Sequence, residues 1–164
     1  MYNVQHVFIF RPITGLGRAN VYCLPSFYLM DRQDYAVQLL EHYESPRHYG
    51  NLPEADIVAN GENPGCGDVV TIYLSVGEGD VAQKVSFEGD GCTISLGATS
   101  VLMDMVQGKT LAEIQAIDYN DLITTLGKDV VLTRVKCATL GLKTLKEAIS
   151  QYFSQPQSTA RAGA

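Results

Sequence analysis

Two apolar alternations joined by a four-residue turn constrain the fold of this chain most. Val70, Ile72, Leu74 and Val76 alternate with Val69, Thr71, Tyr73 and Ser75, and Gly77-Glu78-Gly79-Asp80 then leads into Val81, Gln83, Val85 and Phe87. Side chains alternate faces along a strand, and a short Gly-rich turn between two such runs reverses the chain. The pattern predicts an antiparallel hairpin, with Ile57-Val58 joining as a third strand. After the second strand the period changes from 2 to 3.6. Ile94, Ala98, Val101, Leu102 and Met105 share one helical face that stops at Gly108,. Thr110 can cap a short helix carrying Leu111, Ile114 and Ile117, and a second short helix is expected over 121–126,. Val135, Ala138, Leu142, Leu145 and Ile149 line one face of a long final helix, with Lys143 and Lys146 outward,. Upstream, Tyr35, Val37, Leu39, Leu40 and Tyr43 suit a helix stopped by Ser45-Pro46,. A helix, then strands, then helices implies an α+β domain: a three-stranded antiparallel sheet with helices packed on one face.

The ends differ from this body. Residues 1–30 contain no acid and only Arg11 and Arg18, without helical or strand period, and Asp31 is the first carboxylate. They are expected to be a dispensable extension, with Met30 as the native start, rather than a transit segment or a folded element. The body is 31–153, and 154–164, rich in Gln, Ser, Pro, Ala and Gly, reads as a flexible tail,. Twelve Lys and Arg against eighteen Asp and Glu leave a net charge of −6, the wrong sign for a dedicated nucleic-acid binder,. No apolar run approaches the ~20 residues that span a bilayer, so no membrane role is expected. Four cysteines with no secretory signal point to reduced thiols and a cytoplasmic setting,.

The chemistry lies in those cysteines. Cys66 sits in Asn63-Pro64-Gly65-Cys66-Gly67-Asp68, a turn whose glycines leave the thiol accessible and whose Asp68 can present an oxygen beside it,. Cys92, in Gly89-Asp90-Gly91-Cys92-Thr93, falls where strand passes into helix, and free N–H groups there favour a thiolate,. Cys137, in Arg134-Val135-Lys136-Cys137-Ala138, lies near the start of the last helix, beside two cations that would also favour the charge,. Three buried cysteines acting as small apolar residues are the plain alternative. Gly-flanked turns and helix starts are costly backbone for packing alone, and a shared site fits better. Three soft thiolates and one harder carboxylate can hold zinc or an iron–sulfur cluster, with Asp68 the weak corner. Cys23 is a thiol of the extension. Gly89, Gly91 and Gly97 lack the spacing and the βαβ setting of a nucleotide loop,. His6 is in the extension, while His42 and His48 flank the Pro46 turn, which suits a structural or docking role rather than Cys–His catalysis,.

Asn63-Pro64-x-Cys66-Gly67-Asp68, Gly89-x-Gly91-Cys92-x-Ile94-Ser95, Lys136-Cys137-Ala138-x-Leu140 and the earlier His42-Tyr43-x-x-Pro46-Arg47-x-x-Gly50 together resemble the IscU/NifU N-terminal family of iron–sulfur cluster assembly scaffolds, from about Met30 to Phe153. The resemblance implies that Cys66, Cys92 and Cys137 are the family's three cysteines and Asp68 its labilising carboxylate. It also implies an IscU/SufU-like α+β fold and a cysteine desulfurase as partner. Two features depart from the IscU pattern: Lys136 stands where a His precedes the third cysteine, and Val130-Val131-Leu132-Thr133-Arg134 replaces a Pro-Pro segment read by a chaperone. The resemblance therefore does not extend to chaperone docking. Lys-Cys-Ala-x-Leu is similar to the SufU branch, whose members hold zinc and accept sulfur, whereas the interval from Cys92 to Cys137 is of IscU length and lacks the SufU insertion.

The expectation is a non-enzymatic scaffold. Desulfurase-derived sulfur and iron build a transient [2Fe-2S] cluster on Cys66, Asp68, Cys92 and Cys137, and the cluster passes to apo iron–sulfur proteins, with an iron or electron donor as a further partner. The alternative is a zinc-dependent sulfurtransferase in which Cys66, Asp68 and Cys92 hold zinc and Cys137 swings out to accept persulfide sulfur. An inert zinc-stabilised binding module is the third reading.

Overall fold

The computed structural model describes residues 30–154. The proposed extension up to 29, with His6 and Cys23, and the tail beyond 154 lie outside the described residues. Helix α1 (Arg32–Glu44) is followed by β1 (Ile57–Asn63), β2 (Asp68–Val76) and β3 (Ala82–Asp90). Helix α2 (Thr93–Val106) then precedes α3 (Leu111–Ala116), α4 (Tyr119–Thr125), α5 (Lys128–Val131), α6 (Val135–Ala138) and α7 (Leu140–Ser154). The sheet is antiparallel throughout, in the order β1-β2-β3. Val70, Ile72, Leu74 and Val76 are buried on the face where α7 packs on β1 and β2 and α2 on β3, while Val58 and Val69 on the opposite face stay exposed. This is the α+β arrangement expected from the sequence.

The third strand runs well past Ile57-Val58, to Asn63. The inner face of β3 differs from the expected one. A bulge sets Ser75 opposite Lys84 but Val76 opposite Ala82, leaving Gln83 as the extra residue,. Ala82, Val85 and Phe87 therefore point inward in place of Val81, Gln83, Val85 and Phe87. Outside β3, the segment around Tyr49 bonds to Phe87 (Phe87 N–H to the His48 carbonyl and Gly50 N–H to the Phe87 carbonyl, both 2.9 Å), and Ala82 exchanges two 2.8 Å bonds with Gly108 and Lys109.

Helix α1 also turns differently from its apolar pattern. Leu39 and His42 are buried, whereas Val37, Leu40 and Tyr43 are exposed. The cause is α2, which packs against α1 through small residues. A Cβ on Gly97 would lie 2.6 Å from the Leu39 carbonyl oxygen, and the Ser100 hydroxyl meets His42 Nδ1 at 2.9 Å. Helix α2 is thus buried nearly all round and forms the centre of the core. Thr110 and Glu113 form a reciprocal cap on α3, as the sequence suggested, and α4, capped by Asp118, starts two residues before the expected helix,. The single final helix is broken at Thr139 into α6 and α7, preceded by α5 and a 3₁₀ turn at Leu132–Arg134. The apolar face nonetheless continues across the break, with Ala138, Leu142, Leu145 and Ile149 buried. Gly61 admits α7 to the sheet, since a Cβ there would overlap the Thr144 hydroxyl.

Candidate metal centre

The β1–β2 turn builds the first half of the site. Asn63 ends β1 opposite Asp68, the first residue of β2, and its carbonyl accepts from the N–H groups of Cys66 (3.0 Å) and Gly67 (2.9 Å). Gly67 closes the turn at φ +75°, a left-handed conformation that favours glycine,. The result exposes Cys66 at the tip and points Asp68 inward, only 2% exposed. Across the sheet, β3 passes into α2 with Cys92 as the N-cap residue. The Cys92 N–H donates to Asp68 Oδ1 at 2.9 Å, and Cys92 Sγ stands 3.9 Å from Asp68 Oδ2. Gly91 permits this approach, because a Cβ would lie 2.9 Å from Asp68 Oδ1. One carboxylate oxygen is therefore committed to holding the start of α2 and the other faces the thiols.

Helix α6 supplies the second half. Cys137 is buried, at 1% exposure, with its Sγ 3.2 Å from Cys66 Sγ and 3.4 Å from Asn63 Nδ2. One ligand atom each from Cys66, Asp68 and Cys137 lie within 4.8 Å of one another. Cys92 stands beside this trio at the Asp68 carboxylate, outside that mutual distance. Of the four residues singled out in the sequence, the structure thus groups three tightly and places the fourth at the rim. The opening is lined by Cys66, Asp68 and Cys92 together with Asp90, Thr133 and Arg134, while Cys137 stays enclosed beside it.

Burial pushes the Cys137 thiol well above its ordinary range, helped by its hydrogen bonds with Cys66 and Asp68 and by the charges of Cys92 and Asp68,. The expected favouring of a Cys137 thiolate by Arg134 and Lys136 is outweighed, because both side chains stand in solvent while the sulfur is enclosed. An enclosed thiol set against a buried carboxylate and two more thiols is short of positive charge. A thiophilic cation supplies it, so the donor set fits zinc or iron.

His42 and His48 lie elsewhere. Ser100 Oγ accepts from the Arg47 N–H at 2.9 Å as well as meeting His42, and Asp104 receives Arg47 at 2.7 Å and His48 at 3.0 Å. Together they fasten the Pro46 turn to α2, a structural role. Asn63 is the functional candidate that residue-type reasoning passed over. The available signal was an amide immediately before the Pro of the first cysteine turn.

A small α+β domain that presents thiols from three segments around one carboxylate defines the scaffold class the motifs suggested. The chain belongs to the NifU-like N terminal domain family, whose model matches residues 34–159. It is similar to the iron-sulfur cluster assembly scaffold protein IscU of Aquifex aeolicus, 34% identical over 121 residues covering 73% of this chain and 76% of the relative. It is also similar to the zinc-dependent sulfurtransferase SufU of Bacillus subtilis, at 30% identity over 71% of this chain and 90% of that one. Among solved structures it resembles a candidate scaffold protein for the SUF system of Fervidobacterium islandicum (31% identity, TM-score 0.57, covering 68% of this chain and 94% of the other). The N-terminal part of a NifU-like protein from Brucella abortus shares the fold at 21% identity and TM-score 0.62, covering 73% and 94%.

Proposed function

We propose that this chain is a scaffold on which iron and desulfurase-derived sulfur are assembled into a [2Fe-2S] cluster for transfer to apo-proteins. The observation that carries the reading is the convergence of Cys66, Asp68 and the enclosed Cys137, with Cys92 adjacent, beside a solvent-open depression lined by Cys66, Asp68 and Cys92, in a chain of this family. The cluster is cargo. Cys66, the exposed thiol, is positioned to meet a partner first, taking sulfane sulfur from the desulfurase persulfide and leaving the desulfurase as its thiolate. Reducing that sulfur to sulfide calls for an electron donor, and iron enters through the same opening. Cys66, Asp68, Cys92 and Cys137 hold the product, with the hard Asp68 oxygen as the ligand that opens first. Residues 31–153 carry the function, and a cytoplasmic setting, where thiols stay reduced, suits it. No helix of the described residues is long and apolar enough to cross a membrane.

The second reading, a zinc-dependent sulfurtransferase, is favoured by the Lys136-Cys137 sequence. In it Cys66, Asp68 and Cys92 would hold zinc, which would supply Lewis acidity that keeps the bound thiols deprotonated, and Cys137 would accept the sulfur. Against it, Cys137 is the most enclosed of the three thiols, so swinging it out requires α6 to move. Anaerobic reconstitution with cysteine desulfurase, cysteine and iron separates the two. A stoichiometric cluster in the visible spectrum, transferable to apo-ferredoxin, supports the scaffold; tightly held zinc with accelerated desulfurase turnover and no cluster supports the transferase.

A further inference from the structure

Asn63 touches both halves of the site. Its main-chain carbonyl holds the Cys66 turn through the N–H groups of Cys66 and Gly67, at 3.0 and 2.9 Å, and its strand register fixes Asp68 opposite it. Its side chain turns inward, leaving the residue 7% exposed, and Nδ2 reaches Cys137 Sγ at 3.4 Å. Among the described residues this amide is the nitrogen donor that reaches the Cys137 sulfur. A metal-bound thiolate in an enclosed setting keeps much of its negative charge and is stabilised by an N–H donor, as metal ligands generally are by the groups behind them.

We propose that Asn63 is a positioning residue for the centre: its amide orients the Cys137 sulfur toward Cys66 and Asp68 and donates a hydrogen bond to it when a metal is bound. The division of labour within the residue makes this separable from a structural role. The backbone carbonyl that shapes the Cys66 turn survives any side-chain substitution, whereas the Cys137 contact does not. Asn63→Leu removes the donor with the same branching of heavy atoms and adds no charge, and Asn63→Ala, which only opens space, serves where the bulkier leucine does not fit.

The inference rests on the reading that Cys66, Asp68 and Cys137 hold a thiophilic metal. Its test uses cobalt(II) and zinc(II) alone on the full chain, with folding checked by circular dichroism. Cobalt affinity is measured by chelator competition, together with the sulfur-to-cobalt charge-transfer band. Asn63→Leu is expected to weaken affinity by roughly 10–100-fold and to move the band to lower energy, since the sulfur loses a group that withdraws charge. In a Cys137→Ala background the same substitution is expected to change affinity less than about threefold, because a contact already removed cannot be removed again. Affinity within about threefold of the parent, an unmoved band, or an undiminished loss in the Cys137→Ala background overturns the role of Asn63 and leaves the metal site standing. A parent chain that takes up neither cobalt nor zinc overturns both.

Discussion

Replacing Gly61 with alanine tests how closely α7 is seated on the sheet. Gly61 lies mid-β1 opposite Val70, and an added Cβ would overlap the Thr144 hydroxyl and stand 2.9 Å from Thr144 Cβ and 3.0 Å from Cγ2. Thr144 is 3% exposed, and its hydroxyl is bound to the Leu140 carbonyl at 2.9 Å, so it has little freedom to turn aside. With open space at the site, Gly→Ala would stabilise by about 0.4–1 kcal/mol through the unfolded chain. The overlap with Thr144 puts the cost in the upper part of the about 1–3 kcal/mol range for overpacking, leaving a net loss of about 1–2 kcal/mol. At about 3–5 °C per kcal/mol for a domain of this size, Gly61→Ala should lower Tm by roughly 3–10 °C. Thr144→Ala removes the overlapping hydroxyl and Cγ2 but leaves Cβ close. The double variant should therefore recover much of the loss, with a coupling of about 1 kcal/mol. Thermal unfolding of the four chains by circular dichroism provides the cycle. A Gly61→Ala chain as stable as the parent, or strictly additive effects, would refute this account of the β1–α7 contact.

Asp68→Ala should still assemble a cluster, hold it longer in air and pass it more slowly to apo-ferredoxin, whereas Cys66→Ala should hold none; decay of the visible absorbance and the transfer rate are the measurements, and a cluster lost faster than from the parent makes Asp68 an anchor. Burial holds the His42 pKa below its ordinary value of 6.5, with Arg47 adding to the effect and Asp104 and Glu41 opposing it. The unfolded chain therefore takes up the proton first as pH falls. The His42 contribution to stability is complete above 6.5 and shrinks from there toward the lower folded-state value,. His42→Asn should flatten the fall in urea midpoint between neutral and mildly acid pH, and an unchanged slope contradicts the assignment. Lys136 is exposed and, as an ammonium, has no lone pair for a metal, so Lys136→Ala should leave zinc stoichiometry by elemental analysis unchanged,. A chain beginning at Met30 should match the full chain in Tm and cluster yield, and a large loss in either would make residues 1–29 a structural element.

The hairpin and α2 were legible because their periods are local: alternation in Val69–Val76 and a 3.6 repeat from Ile94 follow from the chain's own geometry. The bulge at Gln83 was not, since one extra residue leaves no mark on composition, yet it exchanges Val81 and Gln83 for Ala82 on the inner face. In α1 the apolar residues misled because the inward face is set by its neighbour. Gly97 and Ser100 on α2 accept the Leu39 backbone and the His42 ring, and nothing within α1 announces that. The break at Thr139 was hidden by an apolar pattern that runs straight across it. The cysteines and Asp68 were visible through the glycines around them. Their grouping depends on α6, which carries Cys137 to the β1–β2 turn, and an amide such as Asn63 has no period or charge to give it away.

The bonds outside β3 bear on what this sheet can do in company. With Tyr49 seated at Phe87 and the Gly108-Lys109 corner at Ala82, that side offers an incoming strand no continuous row of free amides. Among the described residues no strand lies beyond β1 on the other side. Backbone pairing between molecules is thus confined to a single side, and two chains that joined there would use up each other's free edge. Such growth ends at a pair, whereas two free edges on each molecule would allow an endless ladder.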